Sequence, residues 1–282
     1  MESLYVINSN GAREPFSFQK LYRAIRRVNV PKKAARDIAR IIEREAYPGI
    51  KTSDIFQRVE ELLYKKTSES ALRFNLKEGM RKLGPTGFLF EKFVGEIFKK
   101  MGFEIKINLH IPGHCIYDYE IDFIARKEKL IYIGECKYRN VAGEVVHLRD
   151  ALANHARFLD IFNGPYFKTD KQCGFEIKSY LVTNAKFAGQ AIDYSNCVGV
   201  DLLGWRYPKN NSLEYLIEKN NLYPVTILPS LEGYLKDVFV SEKKMLVEDV
   251  VKINPEKFSK KFKIPADHLN HLIEEAKTLI VS

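Results

Sequence analysis

Near the middle of the chain, the run LIYIGECKYRN (Leu130 to Asn140) carries an apolar, strand-forming segment straight into a glutamate, a cysteine and a lysine. No other stretch limits the fold as much. A segment this apolar belongs to a sheet covered on both faces, yet an ionised group taken into such a sheet is costly without a partner. The side-chain period of two puts Glu135 and Lys137 on one face and Cys136 on the other, apart from any cleft that the first two form. The segment before it, YEIDFIARK, supplies Asp122. If Lys127 to Lys129 form the turn, the two strands pair antiparallel and their polar ends meet. Two carboxylates held close raise each other's pKa unless a cation stands between them. A divalent metal bound by Asp122 and Glu135 is the simplest reason for the pattern. Hard oxygen ligands with room for water suit Mg²⁺, with Mn²⁺ as a substitute.

The neighbouring segments supply a scaffold for that pair. A helix is predicted from Phe88 to Met101, with Phe90, Phe93, Val94, Ile97, Phe98 and Met101 on one face and Gly102 as its stop. Glu91 falls on the rim of that face, whereas Lys92 falls on the far side, so Glu91 is a candidate for a further metal or water ligand. FEIKINLHI, YEIDFIARK and KLIYIGECKY read as three strands. A long helix follows from Val145 to Phe162, with Leu148, Ala151, Leu152, His155, Leu159 and Phe162 on its buried stripe. EIKSYLVTN is a strand, Ala185 to Asn196 a helix, and VGVDLLGW a short strand. Strands alternating with helices predict an α/β unit with a mixed central sheet flanked by helices.

This unit spans residues 84–207, with LGPTG (Leu83 to Gly87) marking its start. Before it, residues 1–83 read as a helical domain opened by a small hairpin. Ala35, Ile38, Ala39 and Ile42 form one helical stripe, and Thr52 or Ser53 is placed to cap the next helix. After it, residues 208–282 read as a small helical region, with YPVTIL and VFV as its only candidate strands.

Composition narrows the partners. The 282 residues hold 45 Lys and Arg against 36 Asp and Glu, a net charge of +9 that favours a polyanion. No run is long and apolar enough for a membrane span, and the N-terminus lacks the pattern of a signal peptide, so the expected location is cytoplasmic. Four widely spaced cysteines form no CxxC pair and argue against a zinc site or a disulfide framework. No HExxH pattern points to a zinc protease.

Asp122 followed by Glu135-Cys136-Lys137 resembles the D…ExK signature of the PD-(D/E)XK nuclease superfamily. GPTGFLFEKFVGEIFKKMGF is similar to the opening helix of its type IV restriction endonuclease-like branch, and YLVTNAKFAGQAIDYS with VGVDLLGW resembles that branch's later segments. The family proline before the aspartate is Ile121 here. The likeness implies a restriction-endonuclease-like sheet and a metal site of Asp122, Glu135 and Glu91. It also implies a catalytic Lys137 that orients the attacking water or offsets charge at phosphorus, with DNA as substrate. Arg139, Arg149, Asn154 and Arg157 are candidate phosphate contacts. His155 reads either as a core histidine or as a group facing the cleft. His110 and His114 border the loop IPGHC on the expected DNA side.

VINSNGAREPFSFQKLYRAI and KTSDIFQRVEELLYKK resemble the ATP-cone, a regulatory nucleotide-binding domain. The likeness implies ATP or dATP held through Val6, Gly11 and Lys20, although Asn8 and Ser9 stand where the family has a Lys-Arg pair. The same unit also reads as a DNA-binding or dimerising module with Arg13, Arg23, Arg26, Arg27, Lys32 and Lys33 as its basic surface. LVEDVVKINPEKFSKKFKIPADHLNHLIEEAKTLI is similar to helix-hairpin-helix units, without their glycine. Taken together, the expectation is a Mg²⁺-dependent endodeoxyribonuclease, as a homodimer if two strands are cut. The alternative is a catalytically inactive DNA-binding or nucleotide-sensing protein on the same scaffold.

Overall fold

The computed structural model describes residues 4–84, 87–231 and 233–280. Pro85 and Thr86, within the expected boundary segment, lie outside the described residues. The chain divides into two compact units, Met1–Met80 with Val225–Ser282, and Arg81–Pro224.

The first unit opens with β1 (Tyr5–Ile7) and β2 (Arg13–Pro15), an antiparallel pair whose turn uses Gly11 at φ +78°. The Ser17 side chain accepts the Lys20 N–H and starts α1 (Phe18–Arg26). In α2 (Lys32–Glu45) the buried residues are Ala35, Ile38, Ala39 and Ile42, the stripe that period 3.6 predicts. β3 (Ile50–Lys51) pairs with β1 in parallel. Because Lys51 closes that ladder, α3 (Thr52–Tyr64) begins at once, and Thr52 and Ser53 lie inside the helix rather than capping it. α4 (Ser68–Phe74) and α5 (Leu76–Arg81) complete this part.

The second unit is a mixed sheet flanked by helices. α6 (Phe88–Lys100) precedes β4 (Glu104–Ile111), β5 (Tyr119–Lys127) and β6 (Leu130–Lys137). β4, β5 and β6 pair antiparallel in turn, and Glu128 at φ +53° makes the tight turn between the last two. Then come β7 (Val145–Val146), α7 (Leu148–Asn163), α8 (Lys168–Gln172), β8 (Glu176–Thr183), β9 (Lys186–Phe187), α9 (Gly189–Val198), β10 (Asp201–Leu203) and α10 (Leu213–Lys219). The five-stranded order is β10-β8-β6-β5-β4, with β6, β8 and β10 parallel. Phe98 of α6 packs on Phe123, Tyr132 and Tyr180. Ile161 and Phe158 of α7 pack with Ile124, Ile131 and Ile133.

Two sequence expectations change here. Both predicted helix starts are trimmed, because Val145–Val146 and Lys186–Phe187 pair as a parallel ladder before α7 and α9 begin. The buried stripe of α7 is Ala151, Asn154 and Ile161, whereas Leu152 and Leu159 are exposed. Asn154 is buried with its amide donating to Ser179 Oγ at 2.8 Å, so the stripe carries a satisfied polar group and is not purely apolar.

The first unit resumes after Pro224. YPVTIL forms a 3₁₀ turn at Val225–Ile227, and VFV lies within α11 (Tyr234–Ser241), so neither candidate strand joins a sheet. α12 (Val247–Val251), α13 (Pro255–Phe262) and α14 (Ala266–Ile280) follow. Thr226 Oγ1 donates to the Gly79 carbonyl at 2.6 Å. A Cβ on Gly79 would come within 3.0 Å of the Ile227 Cα. The N-terminal and C-terminal segments, expected as two separate domains, therefore share one unit. No helix of the described residues is long and apolar enough to cross a membrane.

Candidate functional site

Glu135 lies two residues before the end of β6, where packing alone gives no reason for a charge. The register sets Phe123 opposite Gly134, and a Cβ on Gly134 would come within 1.9 Å of the Phe123 ring. Gly134 thus lets the ring lie across β6, so that Asp122 and Glu135, the residues flanking this pair, reach one pocket. That pocket, about 380 Å³ in volume, is also lined by Glu91, Lys137 and Arg157.

Each group is held. Asp122 Oδ2 accepts the Cys136 N–H at 2.6 Å. Glu135 is 7% exposed and takes Lys137 Nζ on Oε1 at 2.5 Å and Arg157 Nη1 on Oε2. Burial, then the charge of Glu135, pushes the Asp122 carboxyl up to about 7; the Cys136 N–H, opposing, lowers it, Glu91 raises it and Lys137 lowers it. The Glu91 carboxyl is also raised, first by burial and then by Glu120 and Glu135. Burial and neighbouring carboxylates thus disfavour the charged form of both Asp122 and Glu91.

The carboxylate oxygens here are of the donor type that hard cations take, although both Glu135 oxygens are occupied by Lys137 and Arg157. Mg²⁺ commonly takes only one or two protein carboxylates, and Asp122 and Glu135 supply two, with Glu91 beside them. Among the described residues no three acidic, histidine or cysteine side chains are grouped so as to hold a metal ion, so Asp122, Glu135 and Glu91 share a pocket without forming a three-ligand set.

The residues expected to act here are placed as follows. Asp122, Glu135, Lys137 and Glu91 line the same pocket. Cys136, expected to stand apart, also lines it, because its backbone fixes Asp122; burial raises its thiol well above the ordinary value. Of the four candidate phosphate contacts only Arg157 lines the pocket. Arg139 pairs with Asp150 at 3.3 Å, and Asn154 is spent on Ser179. His155 bonds the Tyr194 hydroxyl at 2.8 Å, as a satisfied histidine does. His110 bonds Asp118 at 3.0 Å. Sequence reading passed over Asp118, Tyr119 and Glu120, which also line the pocket and carry no motif that marks them.

In the first unit, Val6 is buried in β1 and Gly11 occupies the turn. Lys20 Nζ lies 3.2 Å from Glu14, which also accepts the Asn8 amide at 3.0 Å. Asn8 Oδ1 in turn accepts the N–H groups of Asn10 and Ala12. Arg13, Arg23, Arg27, Lys32 and Lys33 are exposed, whereas Arg26 turns to the Val30 carbonyl.

Comparison with known proteins matches residues 4–77 to the ATP cone domain and residues 223–280 to the AF1548-like C-terminal domain. A solved structure, the crystal structure of the protein of unknown function AF1548, superposes with a TM-score of 0.56 at 31% identity, covering 70% of this chain and 100% of its own. An uncharacterized protein of Archaeoglobus fulgidus is 33% identical over 187 residues, 66% of this chain and 99% of that protein. Near-complete coverage of that relative, joined to the matched C-terminal domain, makes this chain a member of the AF1548-like family with an ATP cone at its N-terminus.

Proposed function

We propose that the chain is a divalent-cation-dependent endodeoxyribonuclease of the PD-(D/E)XK type, with residues 81–224 as its restriction-endonuclease-like catalytic unit. The observation that carries the reading is the convergence of Asp122, Glu135, Lys137 and Glu91 on one pocket, with the Asp122 carboxyl raised to about 7. Antiparallel β4-β5-β6 extended by parallel β8 and β10, with α6 on one face and α7 on the other, supports it.

Mg²⁺ held by Asp122 and Glu135, with Glu91 or its water, would offset charge on a phosphoryl oxygen and lower the pKa of a bound water. Lys137 supplies a compact ammonium that orients the attacking water and offsets charge growing at phosphorus. Arg157 offers a planar fork suited to a phosphate oxygen pair. The Cys136 N–H keeps Asp122 aimed into the pocket.

Incubating the full chain with plasmid, branched and single-stranded DNA, with and without Mg²⁺, tests this directly. Metal-dependent nicking by the wild type and its loss in Lys137→Ala are expected; unchanged cutting by Lys137→Ala removes that residue from the mechanism. A second reading, DNA binding without hydrolysis, draws on the two cations already seated on Glu135. Binding with no nicking in the same assay selects it.

The ATP cone reads as a regulatory module for ATP or dATP. Asn8 and Ser9 bring no cation to that module, and a triphosphate would have to draw Lys20 from its surface pair with Glu14. Repeating the nicking series with ATP and dATP tests that module separately.

A further inference from the structure

The segment 112–118 joins β4 to β5 at the edge of the pocket, and Asp118, Tyr119 and Glu120 are lining residues. It is tightly built. Asp160 of α7 accepts the Cys115 N–H at 2.8 Å and the Ile116 N–H at 3.1 Å, one on each carboxylate oxygen. The Asp160 carbonyl accepts the His114 N–H at 2.9 Å, and the Gly113 N–H reaches the Ile116 carbonyl at 2.8 Å. A Cβ on Gly113 would come within 2.3 Å of Asp160 Oδ2, and one on Gly164 within 2.6 Å of the Gly113 carbonyl carbon. Two glycines and one carboxylate thus hold the tip in a single shape.

At that tip Tyr117 is 89% exposed. Among the described residues its ring makes no aromatic contact and its hydroxyl no hydrogen bond. A lone exposed ring on a slack loop would need no explanation. Here the ordering of the loop has already been met by the fold, so a ligand that stacks on the ring loses little further freedom. Ile116 beside it is also exposed, but His114, Asp118 and Glu120 are exposed and polar, so the apolar area is two side chains, well short of a protein interface. A flat π-face of comparable size suits it, and every nucleobase has one. Bases inside a duplex already have both faces covered by their neighbours.

We propose that Tyr117 is a stacking platform for an unpaired nucleobase at the mouth of the acidic pocket, so that the preferred substrate carries an unpaired stretch or end beside the scissile phosphate. The substrate class rests on the nuclease reading above.

The test uses the full chain with Ca²⁺ in place of Mg²⁺ and 2-aminopurine oligonucleotides that are single-stranded, gapped or fully paired. The wild type and Tyr117→Trp should quench the 2-aminopurine signal and favour the unpaired probes. Tyr117→Ala should lose the quench and bind those probes about 5- to 150-fold more weakly, the range one stacked base supplies, with duplex binding unchanged. Equal binding and quenching by Tyr117→Ala overturns the platform, and Mg²⁺-dependent nicking in that case leaves the nuclease reading standing. Quenching by the wild type without any nicking in Mg²⁺ retains the platform and removes hydrolysis. No binding of any probe overturns both.

Discussion

Asp122 carries the largest electrostatic burden in the site. Its carboxyl keeps a proton up to about pH 7 in the folded chain, against an ordinary value of 3.8. Between those two values the folded state binds more protons than the unfolded state, so this group makes stability fall as pH rises through the window. Without added metal, the melting temperature of the wild type should therefore drop relative to Asp122→Asn on going from about pH 4 to about pH 7, the interval in which the linkage acts. Mg²⁺ or Mn²⁺ should narrow that gap at the higher pH. A gap that is flat with pH would show that Glu135 and burial do not load Asp122. Lys137 lies on the opposite side of the balance, pairing with Glu135 at 2.5 Å. Its loss should cut the nicking rate by about 100-fold or more, the scale of a removed electrostatic stabiliser, with DNA affinity much less affected. Acidic strand ends with a lysine two residues on were legible in the sequence because period 2 fixes their side. Arg157 as the partner of Glu135 was not, because it lies on a helix 22 residues further along the chain, whose buried face differs from the apolar stripe.

Among the elements, the β5–β6 pair decides whether the site exists. Gly134 is the position at which a ring from the next strand crosses the backbone, with Phe123 Cζ 1.9 Å from where a Cβ would be. Gly134→Ala should destabilise the chain by about 1–3 kcal/mol or more in urea titration, as overpacking does. It should also weaken metal binding in calorimetry, because Glu135 is the next residue. Near-wild-type stability would mean that the ring has another place to go. Strand order in this pair followed from the alternation and the Glu128-Lys129 turn. The short β7–β9 ladder did not, since two apolar residues before a helix look like its first turn until a partner strand is known. Likewise, YPVTIL has strand composition, but Thr226 is bonded to Gly79, which holds it as a turn.

For the whole molecule, the chain leaves the first unit after Met80 and returns to it at Val225. After limited proteolysis at these crossings, 1–80 and 225–282 should co-purify as a noncovalent pair. Separation of the two fragments on gel filtration would contradict a shared unit. Thr226→Val should loosen that pair by about 1 kcal/mol, the worth of one hydrogen bond. The sequence alone determined the face that Glu135 and Lys137 share, the helical stripe of α2 and the basic excess, because these depend on local period and residue chemistry. Tertiary structure decided which distant segments meet: Arg157 on Glu135, the interlock of Gly113 with Gly164, and the joining of the two chain ends in one unit. Such contacts depend on packing between residues far apart in the chain, and no short stretch of sequence encodes its own partner.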